Sequence, residues 1–176
     1  RLGQDSLRKC DGLNLLGAIK MEQGDFAEAA NYMREGLDIR RKVLGPDNIL
    51  VAEDMNNIAL LNFDKGDWKK AEEGLREALA IYQKALGGNN EQVATVLSNL
   101  GEVLKNQERF TEATQLYQES IAIKRNVLGP NHPLVASSLN NLGMLYVRQK
   151  KYGDADRFLQ EALAIDRKAL GESHLE

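Results

Sequence analysis

The sequence has little of what catalytic and metal-binding sites need. Among its 176 residues it has one cysteine, Cys10, and two histidines, His132 and His174. A single cysteine excludes an internal disulfide and a cysteine-based zinc site, and two histidines leave little for acid–base chemistry. No Walker-type phosphate loop and no Ser/His/Asp set is evident. We therefore expect a protein that is not an enzyme and that holds no metal or cofactor.

Long apolar runs and an excess of positive charge are also missing. No run approaches the roughly 18 apolar residues of a membrane-spanning helix, and the opening RLGQDSLRKC is too polar for a signal peptide. With 23 Lys and Arg residues against 26 Asp and Glu residues, the formal net charge is -3. This balance gives no electrostatic reason to expect nucleic acid. We expect neither nucleic acid nor a membrane as the partner, and we expect a reduced, cytoplasmic setting.

What the sequence contains instead is a repeat of 42 residues. The dipeptide Leu-Gly keeps this spacing at Leu44-Gly45, Leu86-Gly87, Leu128-Gly129 and Leu170-Gly171. Four further positions keep it too: an alanine (Ala29, Ala71, Ala113, Ala155), a glutamate (Glu35, Glu77, Glu119, Glu161), an isoleucine (Ile39, Ile81, Ile123, Ile165) and an aromatic residue (Phe26, Trp68, Phe110, Tyr152). Such regularity predicts stacked units. We place them at approximately 7–45, 49–87, 91–129 and 133–171 of a single array spanning 1–176.

Each unit is predicted to contain two helices. In the fourth unit, apolar and small residues recur at helical spacing from Leu134 to Gln149, and a second helix follows from about Tyr152 to Leu170. Turns such as Gly24-Asp25 suit a C-terminal cap followed by an N-cap, and the linkers GPDN, GGNN and GPNHP carry helix-stopping residues. The inward stripe of the last helix is expected to be Ala155, Leu159, Ala162, Leu163 and Leu170.

Several repeated positions are predicted to pack inside the array. The first helices share a small residue (Gly17, Ala59, Gly101, Gly143), and we expect it to let a neighbouring helix approach closely, because glycine inside a helix otherwise costs about 1 kcal/mol relative to alanine. Cys10 stands where the other units have alanine and is expected to be a small packed residue. The aromatic residues that open the second helices are expected in the core. His132 and His174 are expected to have linker roles.

The residues of the fourth unit also carry a family resemblance. The pattern Leu142-Gly143-Met144-Leu145-Tyr146, followed by Ala155, Leu159 and Ala162, resembles the tetratricopeptide repeat. The resemblance implies an all-α fold in which antiparallel helix pairs stack into a right-handed superhelix, here of four helix-turn-helix units. The ordinary unit has about 34 residues. The longer second helix here, together with LNNLGMLY (139–146), resembles the kinesin light chain-type subgroup, and the resemblance covers nearly all of residues 2–176.

The two ends of the sequence match repeat boundaries. Leu2-Gly3-Gln4-Asp5 corresponds to the linker Leu44-Gly45-Pro46-Asp47, and the sequence closes in the linker after the fourth unit. Solenoids usually need a polar capping element to cover a terminal apolar face. We therefore expect this sequence to be a segment of a longer array or of a larger protein.

One stripe of each first helix is predicted to face a concave groove. In the fourth unit this stripe is spaced i, i+3, i+4, i+7 and i+11 from Ser137 to Arg148, opposite the residues that pack on the second helix. Equivalent stripes begin at Asp11, Glu53 and Thr95, and the third includes Ser98. The candidate peptide-binding residues are Asn14, Glu53, Asn56, Asn57, Leu60, Asn99, Glu102, Lys105, Asn140, Asn141, Met144 and Arg148.

The asparagines of this stripe have two interpretations. Asparagine is a poor helix former, so its recurrence in mid-helix needs a reason. In the first interpretation each amide offers a donor and an acceptor to the backbone of a bound extended peptide, which is also what the resemblance implies. In the second, the amides tie neighbouring helices together or simply face water.

Charge along the stripe is uneven. Acidic residues such as Asp11, Glu53 and Glu102 lie mainly in the first three units, whereas Lys105 and Arg148 come later. One interpretation is that the groove favours a peptide that is basic toward one end and acidic or polar toward the other; the alternative is an ordinary solvated face. Related clamps for a C-terminal carboxylate use basic groove residues in adjacent units, and the early units here are acidic. This departure from the pattern of the related clamps argues against a carboxylate clamp here.

We expect a non-catalytic adaptor or scaffold that holds an extended segment of a protein partner in its groove. That segment can belong to another protein or to the full-length form of this one. The alternative is a structural spacer or self-association element that stacks through its uncapped ends.

Overall fold

The fold consists of paired α-helices. The computed structural model describes residues 2–170, and no strand occurs in this range. The eight helices are α1 (Leu2–Glu22), α2 (Phe26–Leu44), α3 (Ile49–Asp64), α4 (Trp68–Leu86), α5 (Glu91–Asn106), α6 (Phe110–Leu128), α7 (Pro133–Arg148) and α8 (Tyr152–Leu170). Each odd-numbered helix packs against the even-numbered helix that follows it. The predicted all-α repeat of helix pairs is confirmed.

The described helix pairs group into two compact units. Unit 1 runs to Gly87 and contains α1 to α4, and unit 2 begins at Gly88 and contains α5 to α8. Within unit 1 the two pairs meet through α2 and α3, and within unit 2 they meet through α6 and α7. The prediction of one array over all four pairs, with the stated repeat boundaries, stays a prediction.

Repeated polar residues begin the first helices. Asn48, Asn90 and His132 occupy equivalent positions in the linkers. Their side chains accept hydrogen bonds from the backbone N–H groups two residues later, at 2.9, 2.9 and 3.2 Å respectively. These bonds satisfy N–H groups that a helix leaves unpaired in its first turn. The linker role of His132 is confirmed, and His174 lies outside the described residues.

Small residues permit close packing within each helix pair. A Cβ atom at Gly17 would lie 2.7 Å from Met33 Cγ, and one at Gly143 would lie 2.7 Å from Leu159 Cδ2. The second pair uses the opposite arrangement: Ala59 stands at the glycine position, and Gly74 on α4 faces it, with 3.2 Å between a Gly74 Cβ and that of Ala59. The predicted role of the small position is confirmed.

Each unit has its core between helix pairs. One cluster in unit 1 joins Ala29, Ala30 and Met33 of α2 to Leu61 of α3. Unit 2 has a larger cluster of eleven buried residues, in which Leu104 of α5, Tyr117 of α6 and Leu142 of α7 are fully buried. Cys10 is also fully buried, as predicted, and burial raises the pKa of its thiol.

Two of the predicted core aromatics are instead exposed. Phe26 and Phe110 are partly buried against the clusters of their units, but Trp68 is 39% exposed and Tyr152 is 65% exposed. The predicted inward position of Leu163 is also wrong, because this side chain is 37% exposed. Phe26 and Phe110 belong to the first helix pair of their units, and the second helix pair of each unit packs over that first pair. Of Leu170 only the backbone lies within the described residues.

Candidate functional site

The predicted stripe is exposed in part, whereas other stripe residues contact the second helix of their own pair, as Asp11 does with Arg40 and Glu102 with Tyr117. We call the stripe residues of α1 and α3 the first-helix face of unit 1, and those of α5 and α7 the first-helix face of unit 2. In unit 2, Met144 is 51% exposed, whereas Leu142 and Leu145 beside it are fully buried. In unit 1, Leu15 is 65% exposed. At these positions the helical spacing separates packed from exposed residues as expected.

The first-helix face of unit 1 covers a buried ionic network. Asn14 Nδ2 donates to Asp54 Oδ1 at 2.6 Å, and Arg40 donates to the same oxygen through NH1 at 2.5 Å. The other terminal nitrogen of Arg40 donates to Asp11 Oδ1 at 2.6 Å. The side chains of Arg40 and Asp54 are only 5% and 1% exposed. Asn14 thus ties α1 to α3, which matches the second interpretation of the asparagines.

Burial sets the electrostatics of this network. Desolvation raises the pKa of Asp54 above its usual range, and the hydrogen bond from Asn14 and the nearby Arg40 charge oppose that shift. Asp54 Oδ2 and Arg40 Nε are buried and have no hydrogen-bond partner. The network therefore joins adjacent helix pairs while leaving two polar atoms unsatisfied, which is costly in a low-dielectric interior.

The remaining candidates of unit 1 lie on α3. Asn56 and Asn57 are half-buried, and Asn56 Nδ2 lies 3.4 Å from Asn57 Oδ1. Leu60 is half-buried, and Glu53 is exposed. These residues lie on one side of the helix, so the structure brings them together as the stripe predicted.

In unit 2, two charged candidates neutralise each other. Lys105 Nζ lies 2.5 Å from Glu102 Oε1, and Tyr117 donates its hydroxyl proton to Glu102 Oε2 at 2.7 Å. The pKa of Tyr117 is raised, first by burial and then by this bond to Glu102. Asn106 Nδ2 donates to the Glu102 carbonyl at 2.9 Å. Glu102 and Lys105 are therefore held by contacts within unit 2.

The α7 part of the same face is more open. Asn140 and Asn141 are half-buried, and neither side chain forms a hydrogen bond or ion pair with any residue between 2 and 170. Met144 projects beside them. Arg148 NH1 lies 3.4 Å from the Lys105 carbonyl, and its guanidinium carbon lies 5.9 Å from the centre of the Phe110 ring. This surface offers two amides, a thioether and a cation.

The predicted position of Ser98 in the groove is wrong, because this side chain is only 8% exposed. Ser98 Oγ lies 2.7 Å from Ser120 Oγ and 3.2 Å from Lys124 Nζ. Lys124 Nζ also donates to Ser138 Oγ at 2.7 Å. Burial lowers the pKa of Lys124, and the more distant Glu91 carboxylate opposes this shift. The cluster could not be recognised from the repeat pattern, although Lys124 stands at the repeat position of Arg40.

No group of three or more His, Cys, Asp or Glu side chains suited to a metal ion occurs within the described residues. The helices of this same range include none that is long and apolar enough to cross a membrane.

The family follows from a sequence match over most of the chain. The model of the tetratricopeptide repeat matches residues 10–84, 52–126 and 92–168. The chain belongs to the tetratricopeptide repeat family, whose members are generally protein-interaction scaffolds. A comparison with curated proteins finds no match.

Several solved structures share the fold. BtubC (BKLC) from P. vanneervenii is similar with a TM-score of 0.83 and 24% identity, over 92% of this chain and 65% of that one. A putative kinesin light chain with nearly identical TPR-like repeats from Podosopora anserina has a TM-score of 0.78 and 21% identity, over 92% and 76% of the two chains. Aspartyl phosphate phosphatase F from Bacillus subtilis has a TM-score of 0.83 and 16% identity, over 96% and 43%. At these identities the likeness establishes the fold, including its similarity to kinesin light chain-type repeats.

Proposed function

We propose that this chain is a non-catalytic protein-interaction module that binds an extended peptide segment of a partner on its first-helix faces. The observation that carries the proposal is the α7 surface of unit 2. There, two adjacent asparagine amides have no hydrogen-bond partner within residues 2–170 and stand beside the exposed Met144. Family membership supports a scaffold role. The bound segment belongs either to another protein or to the full-length form of this one.

The chemistry of this surface suits an extended backbone. Each amide offers both a donor and an acceptor, as a peptide group does. One such hydrogen bond contributes about 1 kcal/mol net, so several must form together for useful affinity. The first helices are already formed, which lowers the ordering cost on the protein side. We expect affinities in the micromolar range. A peptide on unit 2 is expected to contact Asn99, Asn140, Asn141 and Met144, and a peptide on unit 1 is expected to contact Asn56, Asn57 and Leu60.

The charged candidates are expected to set preference more than affinity. Glu53 is exposed on the face of unit 1, and Arg148 is exposed on the face of unit 2. Exposed charges steer encounter and exclude like-charged partners. We therefore propose that unit 1 favours basic peptide residues, whereas Arg148 favours acidic ones.

The first prediction tests the amides. A random dodecapeptide library is displayed on phage and selected against the chain, and the dissociation constant of one selected peptide is measured by calorimetry. Replacing Asn140 and Asn141 by alanine is expected to weaken binding at least about tenfold, because two net hydrogen bonds are lost. A matched control replaces Asn31 and Asn126, which are exposed on second helices, and is expected to bind as the wild type does. Equal affinity for both double variants would refute the first-helix face of unit 2 as the site.

A specific observation also favours self-association as a second function. Leu16 and Ile19 on α1 are 45% and 43% exposed, whereas the equivalent Leu142 and Leu145 on α7 are fully buried. The exposed apolar edge of α1 is suited to stacking against another helix pair of the same type.

A further inference from the structure

Lys124 is a buried cation that lacks a carboxylate partner. Its residue is 5% exposed, and its ammonium group contacts only the hydroxyls of Ser98 and Ser138. No ion pair involving Lys124 forms among residues 2–170. The Glu91 carboxylate acts on Lys124 only at longer range. A positive charge in this environment is costly unless a negative charge compensates it.

The serine hydroxyls form hydrogen bonds around Lys124, but they are uncharged and do not neutralise it. Ser138 donates to the Leu134 carbonyl at 3.1 Å, and Ser120 donates to the Ala94 carbonyl at 2.6 Å. Since the proton of Ser120 is engaged, Ser98 is the donor in their 2.7 Å contact. Ser98 and Ser138 thus accept from Lys124, and their own protons go to neutral oxygen atoms.

Unit 1 contains the neutralised form of the same arrangement. Two repeats earlier, Arg40 stands at the position of Lys124, Asp54 at that of Ser138, and Asn14 at that of Ser98. There the Asp54 carboxylate pairs with the cation at 2.5 Å, and Asn14 covers the pair. In unit 2 both the carboxylate and the covering amide are replaced by serine. The charge that Asp54 supplies in unit 1 is missing from unit 2.

Ser98 lies beneath the first-helix face, where it is 8% exposed and its hydroxyl faces Ser120 and Lys124 of α6. It occupies the stripe position that asparagine holds in the other three repeats, and it is the shorter side chain there. If its hydroxyl rotates away from Ser120, it can donate to an anion on the face while it still accepts a proton from Lys124. The attraction between that anion and Lys124 acts across a largely water-excluded path, where it is screened weakly.

We infer that Ser98 and Lys124 form a subsite that selects an Asp or Glu side chain in the peptide bound on unit 2. This inference rests on the proposed function. The equivalent place in unit 1 has no such preference, since Asp54 already neutralises Arg40 there. The ligand chemistry is a carboxylate on an extended peptide, and the bound carboxylate takes the role that Asp54 has in unit 1.

The test uses the phage-displayed random dodecapeptide library on four forms of the chain. Lys124→Met removes the cation and keeps an aliphatic stem. Ser138→Asp keeps Lys124 but supplies an internal carboxylate, as in unit 1. Lys42→Met is the matched control, because Lys42 is an exposed lysine on α2. Each variant is first checked for a helical spectrum and a cooperative thermal melt.

Wild type and Lys42→Met are expected to select peptides with Asp or Glu at one recurring position. Lys124→Met and Ser138→Asp are expected to select peptides without that preference. In a synthetic selected peptide, exchange of the acidic residue for its amide is expected to weaken binding to wild type about tenfold, the usual effect of losing a charged hydrogen bond, and to change binding to Ser138→Asp less than about twofold.

Two results separate the inference from the proposed function. Selected peptides that bind unit 2 without an acidic preference, or with one that survives in Ser138→Asp and Lys124→Met, would overturn the inference alone. If wild type selects no peptide, the proposed function fails and the subsite fails with it. Ser138→Asp is expected to stabilise the fold, because its carboxylate pairs with Lys124. If Lys124→Met does not fold, the peptides selected by Ser138→Asp alone test the subsite.

Discussion

At the scale of single residues, one buried position shows how a repeat can vary its chemistry while keeping its shape. Arg40 in unit 1 and Lys124 in unit 2 both lie between two helix pairs and are both about 5% exposed. Arg40 is paired with two carboxylates, whereas Lys124 contacts only hydroxyls. Replacing one partner of a buried pair is strongly destabilising because it leaves the other charge uncompensated. These contacts therefore affect the stability of one unit without altering the repeat pattern.

After the predictions on the asparagine amides and on the acidic subsite, the third prediction concerns the Arg40 network. Asp54→Asn removes the buried carboxylate and leaves the Arg40 guanidinium uncompensated on that side, so we expect a loss of about 3 kcal/mol in the free energy of unfolding. Asp11→Asn removes the outer partner, whose side chain is 72% exposed, and is expected to lose less than about 1 kcal/mol. Urea denaturation followed by circular dichroism measures both. Equal losses for the two variants would show that Asp54 is not the main partner of Arg40.

At the scale of helices, the turns inside the pairs differ between the two units. Gly24 and Gly66 adopt positive φ angles of 76° and 77° at the end of the first helix in unit 1. The equivalent residues in unit 2 are Glu108 and Lys150, with φ angles of 61° and 59°. This left-handed region suits glycine and strains residues that have a Cβ atom. The turns of unit 2 thus keep the geometry of the glycine turn with less suitable residues.

The fourth prediction follows from this strain. Lys150→Gly is expected to raise the free energy of unfolding by about 0.5–1 kcal/mol, because relief of the left-handed strain exceeds the entropy that glycine adds to the unfolded chain. Lys65→Gly is the control, since Lys65 has a φ of -75°, and is expected to lower stability by about 0.5–1 kcal/mol. Thermal melts compare the two. A lower melting temperature for Lys150→Gly would contradict the strain argument.

The helices could be predicted from the sequence more completely than the contacts between them. The linker residues recur in every repeat, so they indicated where α2 and α4 end and where α3 and α5 begin. The contact of Arg40 with Asp54 joins two positions whose residues change from repeat to repeat, so periodicity carries no signal for it. Exposure of Tyr152 was missed for a related reason: identical repeat positions have different surroundings when only one of them is covered by a following pair.

At the scale of the whole molecule, the two units expose different surfaces. The face of unit 1 includes Glu53 and covers a neutralised ionic network, and the face of unit 2 includes Arg148 and lies over the unpaired Lys124. A partner segment bound on one unit would therefore meet different chemistry from a segment bound on the other. The candidate stripe could be found from helical spacing. The hydrogen bonds that hold Asn14 and Glu102 involve neighbouring helices, so they could not be predicted from that spacing.

The fifth prediction tests self-association of the molecule. If the exposed edge of α1 stacks on another copy, sedimentation equilibrium is expected to show an apparent mass that rises with concentration. Replacing Leu16 and Ile19 by serine is expected to abolish this rise, because it removes apolar area from the edge. Leu15→Ser is the control: Leu15 is 65% exposed but lies on the first-helix face. A wild-type chain that stays monomeric at all concentrations would exclude stacking.

In the second helix pair the glycine lies on the second helix and not on the first, and this limits which helices can be joined in a chimera. In three pairs the glycine lies on the first helix, whereas α3 carries Ala59 and α4 provides Gly74 to accommodate it. A chimera that joined α3 to α6 would place Leu116, the counterpart of Gly74, against the alanine and crowd the interface. Exchange of single helices between pairs is therefore expected to disturb this contact. A complete helix pair moved as a segment keeps both of its matched residues.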